Sequence, residues 1–342
     1  MEHPLVSVVV VCCNGLEITR RCLAGLFNQD YEPREIIVVD NGSDEDVQGM
    51  VTGTYPQFRF IRIDRNLGFS GGYNRGIEAA NGKYIAIINN DAIASPQWLR
   101  ALIEVAEKDA KIGAVASIIA DGNRPKVLDS CGVGIALDGM SRQLMRGQAL
   151  PVLSVPKEVL VPSGCACLFR ADALEAVGLF DESFFAYCED TDLGLRLRWA
   201  GFKTVVAPDA QVTHYYSMTT GKYSLQKVFF VERNHFWVAV KNFPPALLLF
   251  LPFATIWRYL VQIFAMITRS GDLIEFSAQS NFFQVAATIV KAYISAIAGM
   301  PLMLRKRKLF LPERRIGNFQ MFRIILAHRM SMVEIIIGSK TK

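Results

Sequence analysis

The sequence is poor in charged residues, and its cysteines follow no pairing pattern. Only 20% of the 342 residues are charged, 14 are proline and 25 are glycine, which excludes disordered, collagen-like and coiled-coil chains. The seven cysteines are odd in number and contain no C-x-x-C pair, so a zinc ribbon and a disulfide framework are disfavoured and we expect reduced thiols. No basic stretch precedes an apolar one at the N-terminus, so we expect no secretory signal.

The sequence also lacks a broad basic region. The net charge is only +5, and basic residues are mixed with acidic ones as far as the run at 305–308. We therefore expect no nucleic-acid partner.

The chain is long enough for one enzyme-sized domain and an extension. A domain of about 200 to 250 residues would leave an appendage at one end. Beyond Pro244 long apolar runs replace the earlier alternation of strand-like and helical patterns. We predict a catalytic domain at residues 1–243 and a C-terminal helical, membrane-associated region at residues 244–342.

Apolar runs of strand length alternate with helical patterns in the first part of the chain. The predicted strands are residues 6–13, 35–40, 58–64 and 83–89, and helices are predicted at residues 16–28 and 72–80. Because residues 8–11 and 36–39 are continuous apolar runs, both faces of the sheet should be covered by helices. This predicts an α/β fold with a mostly parallel, Rossmann-like sheet.

The later part of the chain repeats the pattern less regularly. A helix at residues 96–108, a strand at 113–120, and a closing strand pair at 203–207 and 210–214 are predicted. The stretch 121–156 between them shows little recognisable chemistry.

Polar side chains follow the predicted strands. They are Asn14, Asp40, Asn66, Asn89 and Asp91. In parallel sheets, ligands bind at the carboxyl ends of the strands, so these residues are candidates for a common site. Asp40 would accept a hydrogen bond from a base or ribose, although Asn-Gly-Ser after it also fits a plain strand-to-helix turn.

The segment 66–76 is rich in glycine ahead of the helix predicted at 72–80. Backbone N–H groups and the helix dipole would hold a phosphate there. The candidate contacts are Asn66, Gly68, Gly71, Gly72 and Asn74. The segment follows the third strand instead of the first, so it is not a dinucleotide fingerprint.

Two further segments carry candidate chemistry. In Asn89-Asn90-Asp91, a single carboxylate with a neighbouring amide would suffice for Mg²⁺ or Mn²⁺ bound mainly through substrate phosphates, or Asp91 would be a simple cap. Glu189, Asp190 and Asp192 crowd three carboxylates into four residues at a helix start. Capping explains one or two of them, and mutual repulsion should raise one pKa, which suits a general base.

In this order, the segments resemble family 2 glycosyltransferases of the GT-A fold, in particular the bacterial rhamnosyltransferase-like branch. The resemblance runs from Val6 to about Pro244, and its segments are 38–44, 66–76, 88–91, 178–185 and 189–192. Two departures are Asn89 where the family's DxD begins with Asp, and Cys12-Cys13-Asn14-Gly15 where relatives often have Thr-Tyr-Asn-Arg.

The resemblance also implies roles for single residues. Asn14 would contact the nucleotide and Asp40 would bind its base. Asp91 would hold the metal, and His214 would be a third metal or diphosphate contact, although a lone histidine is more often structural. Asp190 would be the catalytic base.

The C-terminal region contains two apolar runs long enough to span a bilayer, residues 244–267 and 282–304. Each carries an internal charge, Arg258 or Lys291, which is costly at a helix centre. Helices lying in the interface, with Trp257, Arg258 and Tyr259 at headgroup level, are favoured over a spanning hairpin, and a core-covering or dimerising subdomain stays open. The basic run 305–308 with Arg314 and Arg315 would favour anionic lipid.

These features predict an inverting, metal-dependent glycosyltransferase at the cytoplasmic face of the cell membrane, peripheral or monotopic. It would move a sugar from a nucleotide-diphosphate donor, dTDP-rhamnose by branch, to a polyprenyl-linked or surface-glycan acceptor. The alternative is a non-catalytic glycan-assembly partner with a degenerate transferase fold, and a nicotinamide-dependent oxidoreductase is disfavoured because the first strand lacks the glycine turn.

Overall fold

A computed structural model of the chain describes residues 3–151, 153–215, 224–268 and 281–338. Its centre is a ten-stranded sheet in the order β10-β12-β6-β11-β4-β1-β2-β3, with β5 paired to β12 and β7 paired to β6. Alternate residues of the first strand, such as Val8 and Val9, lie in different hydrophobic clusters on opposite faces of the sheet. The predicted burial of both faces is therefore confirmed.

The first part of the chain forms the parallel half of the sheet. Its strands are β1 (Val6–Cys12), β2 (Arg34–Asn41), β3 (Arg59–Ile63) and β4 (Tyr84–Asn89), and its helices are α1 (Leu16–Phe27), α2 (Val47–Thr54) and α3 (Gly68–Glu78). β1 pairs in parallel with both β2 and β4, and β2 with β3. The carboxyl ends of these strands consequently meet at one edge, as expected.

The second part extends the sheet with mixed strand directions. Its strands are β5 (Ala92–Ala94), β6 (Ile112–Asp121), β7 (Arg124–Ser130), β8 (Val133–Ile135), β9 (Ser141–Gln143), β10 (Lys157–Val159), β11 (Ala166–Arg170) and β12 (Lys203–His214). Its helices are α4 (Trp98–Ala106), α5 (Ala171–Val177) and α6 (Glu189–Trp199). β11 runs antiparallel between β4 and β6, which brings the segment before it beside the end of β4.

One prediction for this part needs correction. The expected strand pair at 203–214 is one strand, β12, whose register against β6 shifts between Val206 and Gln211. The stretch 121–156 has its own structure, with β7 to β9 inside it.

The C-terminal region is helical and packs on the domain before it. Helix α7 (Leu225–Asn242) ends the predicted catalytic domain, and the C-terminal region contains α8 (Pro245–Ile267), α9 (Phe282–Leu309), α10 (Asn318–Ala327) and α11 (Met332–Ile337). One hydrophobic cluster contains Trp199 and Trp237 together with Leu251, Met303 and Ile325. Residues on both sides of the predicted boundary at 243/244 thus share a core.

Arg258 on α8 forms ion pairs that link the C-terminal region to the domain before it. Its guanidinium lies 2.6 Å from Asp138 Oδ2 and donates to both carboxylate oxygens of Glu232 on α7, at 2.9 and 2.8 Å. Arg258 is fully buried, whereas the neighbouring Trp257 is 56% exposed. The expectation that Arg258 lies at headgroup level is therefore wrong, because two carboxylates of the preceding domain hold it inside the protein.

The basic residues of the run 305–308 also differ in what they contact. Lys306 pairs with Asp181 and donates to Ser183 Oγ at 2.7 Å, and Arg307 donates to the carbonyl oxygens of Val240 and Lys241. Arg305 and Lys308 are exposed. The run was expected to act as one lipid-facing collar, but its two middle residues attach α9 to the protein.

Helices α8 and α9 present a large apolar surface. Among the exposed side chains are Phe253, Ile256, Phe264, Ile267, Ile294 and Ile297. By length and composition, both helices could cross a membrane. Exposed apolar surface of this extent marks an interaction with a membrane or a partner.

Candidate active site

A cavity of about 1430 Å³ opens at the edge where the parallel strands end. It is lined by predicted site residues that follow three different strands: Asn14 after β1, Asn66 after β3, and Asn89 and Asp91 at the end of β4. Gly68, Glu189, Asp190 and His214 also line it. The structure therefore brings most of the predicted site residues together.

An amide network shapes one wall of this cavity. Asn41 Nδ2 donates to Gly68 O at 2.9 Å and to Asn66 Oδ1 at 3.2 Å, and the Leu67 N–H donates to Asn41 Oδ1. Asn14 holds the neighbouring loop, because its Oδ1 accepts from Asp44 N at 2.8 Å. Asn41 was not among the predicted residues, although it directly follows Asp40 in sequence.

Asp40 lies behind this wall and does not line the cavity. Its carboxylate is fully buried, accepts from the Ser43 N–H at 2.9 Å and pairs with Arg62. Both oxygens thus hold the β2–α2 loop. The role that the structure shows for Asp40 is to hold this loop. Base binding by Asp40 stays a prediction.

The glycines of segment 66–76 lie inside α3, which begins at Gly68 instead of Gly72. A Cβ on Gly72 would lie 2.6 Å from Val11 Cγ1, and one on Gly71 would lie 2.6 Å from Leu67 Cβ. Neither residue lines the cavity, so we correct the expectation that they offer N–H groups to a phosphate. Gly72 instead allows α3 to approach β1 closely.

Asn74 has a structural place as well. Its side chain accepts from Phe180 N at 3.0 Å and donates to Phe180 O and to Glu182 Oε1. It is buried and lies outside the cavity lining. Asn74 therefore links α3 to the loop before α6 instead of making the expected contact with a phosphate.

Asp91 carries a buried oxygen to which no donor binds among the residues that the structure describes. Its Oδ1 lies 3.3 Å from His214 Nε2 without hydrogen-bond geometry. Asn89 and Asn90 are held by Tyr73 and Thr19, respectively. A buried carboxylate oxygen left without a donor fits a cation ligand.

His214 is held from the other side by a residue that the sequence did not indicate. Its Nδ1 lies 2.9 Å from Asp129 Oδ2, and Arg146 Nε lies 3.3 Å from the other oxygen of Asp129. Burial lowers the pKa of His214, but Cys165, Asp129 and Asp91 outweigh it and raise that pKa well above its usual value. The one signal that could have indicated Asp129 is a carboxylate directly after the apolar pair Val127-Leu128 in β7.

The helix α6 begins in a strained turn that presents the acidic residues. Phe185, Tyr187 and Cys188 all have positive φ angles. Such strain in non-glycine residues clusters at functional sites. A Cβ on Gly68 would lie 2.4 Å from Phe185 O, so the turn packs tightly against the start of α3.

Asp190 and Glu189 are held differently at this helix start. Asp190 Oδ2 accepts from Gly164 N at 3.1 Å, and its Oδ1 accepts from the backbone and hydroxyl of Thr191. Burial raises the pKa of Asp190, against the lowering effect of these bonds. Glu189 is buried, and its Oε2 has no hydrogen-bond partner within the described parts of the chain. Burial, followed by repulsion from Asp190, raises the pKa of Glu189 well above the usual value. Burial, more than the predicted mutual repulsion, is the main cause.

Asp192 does not line the cavity. It is fully buried, with Oδ2 2.9 Å from both Lys241 Nζ and Arg196 Nε, and Asn242 donates to its Oδ1. Burial alone would raise the pKa of Asp192, but Lys241 and Arg196 outweigh it and lower that pKa. The expectation that Asp192 joins the catalytic group is corrected to an anchoring role for α6.

The described residues contain no group of three or more His, Cys, Asp or Glu side chains arranged to hold a metal ion. Any divalent cation here would rest on Asp91 and His214, with the other ligands coming from a substrate or water. That pattern is typical of Mg²⁺ or Mn²⁺ bound mainly through phosphates.

Residues 7–178 match the family model described as glycosyl transferase family 2. The chain belongs to that family. Among its relatives is N-acetylglucosaminyl-diphospho-decaprenol L-rhamnosyltransferase of Mycobacterium tuberculosis, 28% identical over 241 residues, with 64% of this chain and 78% of the relative covered. Another is poly-beta-1,6-N-acetyl-D-glucosamine synthase of Staphylococcus epidermidis, 24% identical, with 75% of this chain and 63% of the relative covered.

Solved structures agree on the fold. GalNAc-T7 with UDP, GalNAc and Mn²⁺ matches with a TM-score of 0.60 at 16% identity, over 72% of this chain and 49% of that one. The mannosyltransferase PcManGT of Pyrobaculum calidifontis, in complex with GDP-Man and Mn²⁺, matches with a TM-score of 0.53 at 17% identity, over 93% of this chain and 88% of that one. The predicted GT-A fold and the family are confirmed.

Proposed function

We propose that this glycosyltransferase inverts the anomeric centre as it moves a sugar from a nucleotide-diphosphate donor to an acceptor hydroxyl. The observation that carries the proposal is the position of Asp190 and Asp91 on one cavity, linked through the segment just before β11. Asn89 N donates to Cys165 O at 2.8 Å, and the adjacent Gly164 N donates to Asp190 Oδ2. A base and a diphosphate site on one cavity suit in-line displacement.

Asp190 is the proposed general base. It lines the cavity and is partly exposed, whereas Glu189 is buried. Its raised pKa makes the carboxylate a better proton acceptor than a free Asp while leaving it ionisable. The hydrogen bonds from Gly164 and Thr191 keep its oxygens oriented.

Asp91 and His214 would hold Mg²⁺ or Mn²⁺ beside the donor diphosphate. When bound, the cation would neutralise charge that develops on the leaving nucleoside diphosphate. His214 is oriented by Asp129 at 2.9 Å, as a second carboxylate often orients a ligating histidine. The Mn²⁺ in the two solved neighbours is consistent with this use.

The donor proposed is dTDP-rhamnose, and the acceptor is a lipid-linked or growing surface glycan. The rhamnosyltransferase relative, whose name includes a diphospho-decaprenol, supports both. The polysaccharide synthase relative keeps an N-acetylglucosamine donor as the alternative.

We also propose that α8 lies in the membrane interface on the cytoplasmic side instead of spanning the bilayer. Arg258 lies near the middle of α8 and is paired with Asp138 and Glu232 of the preceding domain. A spanning α8 would carry those charged groups to the bilayer centre, where each ionised residue costs about 2.5–3.5 kcal/mol. An in-plane helix leaves the exposed apolar side chains for the lipid.

The test is to incubate the purified protein with a panel of nucleotide sugars, including dTDP-rhamnose and UDP-N-acetylglucosamine, and to measure nucleoside diphosphate release. Product stereochemistry by NMR tests inversion. Nucleotide binding without turnover of any donor, in the presence of membrane lipid extract as acceptor source, would favour the non-catalytic alternative.

A further inference from the structure

The cavity does not end at the proposed donor site. Beyond Asp190 it continues along α7, α8, α9 and α11, where aliphatic side chains replace the asparagines. Its lining there includes Ile263, Met266, Val285, Ile289 and Ile336, with Glu232, Arg258, Tyr259 and Gln262 as its polar members. A sugar offers hydroxyl groups to its binding site, so a long aliphatic wall has no use in holding a glycan.

This wall is continuous with the apolar outer surface of the tail. Ile263, Met266 and Val290 line the cavity and are also 49%, 44% and 58% exposed, respectively. The cavity therefore opens on the same helices that present apolar side chains outward. A hydrocarbon chain could pass from a bilayer into it without crossing water.

Two cations lie between the aliphatic wall and the base. Arg142 on β9 donates to Ile335 O at 2.5 Å, and the adjacent Ser141 Oγ lies 3.8 Å from Cys188 Sγ, next to Glu189. Lys227 on α7 lies with its Nζ 5.5 Å from the centre of the Tyr187 ring. Both Arg142 and Lys227 line the cavity.

We propose that this region is an acceptor subsite in which Arg142 and Lys227 hold the phosphate of a lipid-linked acceptor and the tail helices hold its hydrocarbon chain. Hydrocarbon, charge and a proton acceptor follow one another along the cavity in the order that a lipid-phosphate-linked sugar would need. Arg and Lys bind phosphate through charge-assisted hydrogen bonds. The inference rests on the proposed function, because it places the acceptor of that reaction.

The test uses farnesyl diphosphate as the probe, with the full-length protein in detergent and a saturating nucleoside diphosphate to occupy the donor site. Calorimetry should show that farnesyl diphosphate binds at least tenfold more tightly than inorganic pyrophosphate. Arg142→Gln and Lys227→Gln should each weaken that binding by about tenfold. Lys291→Gln, an exposed cation on α9, is the matched control and should leave it unchanged.

A second pair of variants tests the wall. Ile289→Asn should weaken farnesyl diphosphate binding without changing pyrophosphate binding, whereas Ile294→Asn, on the exposed face of α9, should change neither. Nucleotide affinity, measured for each variant, reports on folding, and the two cation variants lie on different elements in case one does not fold.

Equal affinity for farnesyl diphosphate and pyrophosphate would overturn the hydrocarbon part, and insensitivity to both cation variants would overturn the phosphate part. Turnover measured with the panel of nucleotide sugars distinguishes a failure of the acceptor subsite from a failure of the proposed function. A chain that binds the probe as described but turns over no donor refutes the transfer reaction alone, and a chain that turns over donor but ignores the probe refutes the subsite alone.

Discussion

Lys241 Nζ lies 2.9 Å from Asp192 Oδ2 inside the protein. Asp192 belongs to the acidic first turn of α6. The same ammonium lies 2.7 Å from Asp181, which also pairs with Lys306 of α9. A line of buried and half-buried charges thus connects the tail to the helix that carries Asp190.

Asp192→Asn is expected to destabilise the fold because it removes the buried carboxylate that pairs with Arg196 and leaves Lys241 with one buried carboxylate, Asp181, instead of two. Removing one partner of a buried pair costs about 3–5 kcal/mol. Chemical denaturation should show this loss, and Asp172→Asn, an exposed acid on α5, serves as the control. A stable Asp192→Asn protein with lost turnover would instead return Asp192 to the catalytic group.

Asp190→Asn is expected to keep the fold and donor binding while lowering turnover by about 100-fold or more. General base catalysis contributes about 10² to 10⁴, and an amide cannot accept the proton. Initial rates and nucleotide calorimetry check this, again beside Asp172→Asn. Turnover near that of the wild type would move the base role to Glu189.

The pH profile should follow the raised pKa of Asp190. A base acts only when ionised, so kcat/KM should rise with pH through the pKa of Asp190 and then level off. Because burial raises that pKa, the acid limb should lie above the usual range of Asp, about 3.9. Rates with the nucleotide sugar from pH 4 to 8 measure it; an acid limb at or below that value contradicts the assignment.

Glu189→Gln should stabilise the protein at neutral pH. The folded-state pKa of Glu189 is raised, so the folded state favours its neutral form. Its stabilising contribution is present below the unfolded pKa of about 4.3 and is lost as pH rises toward the folded pKa. Thermal melts should therefore show the variant gaining on the wild type between pH 4 and 8, and a constant difference would exclude the linkage.

Donor binding should depend on a divalent cation through Asp91. Asp91→Ala should abolish the increase in donor affinity that Mg²⁺ or Mn²⁺ produces, and His214→Ala should weaken it. Asp121→Asn, a carboxylate paired with Arg124 away from His214, is the control. If calorimetry gives the same donor affinity with EDTA as with metal, the cation site is wrong.

The exposed and the paired basic residues of the run 305–308 should have different effects when they are substituted. In a liposome flotation assay, Arg305→Gln with Lys308→Gln should weaken binding to anionic vesicles by up to about 1 kcal/mol per charge, because both are exposed. Lys306→Gln should instead lower stability, because it leaves Asp181 with one cation fewer. Release of the wild type by alkaline carbonate supports an in-plane tail; resistance would mean a spanning hairpin, and a protein that never floats would refute membrane association.

Truncation after Phe243 is now expected to harm the fold. It would remove Arg258 from Glu232 and Asp138 and would open the hydrophobic cluster around Trp237. A soluble, nucleotide-binding fragment 1–243 would contradict this and restore the expectation of an independent domain.

The sequence by itself determined the parallel half of the sheet and the place of the site. Uninterrupted apolar runs such as residues 8–12 can only be buried on both faces. Parallel strands bring Asn14, Asn89 and Asp91 to one edge whatever the details of packing. Both features could be predicted from local sequence pattern because each strand is specified by its own residues.

Only the tertiary structure decided how the polar residues divide their roles. Asp190 and Asp192 are two positions apart, but a helix turns by about 100° per residue, so one faces the cavity and the other faces Lys241. Asp129 meets His214, and Arg258 meets Asp138, across 85 and 120 residues of sequence. Such pairs are chosen by burial, since a charge removed from water needs a partner in space, and the sequence does not say which distant segment supplies it.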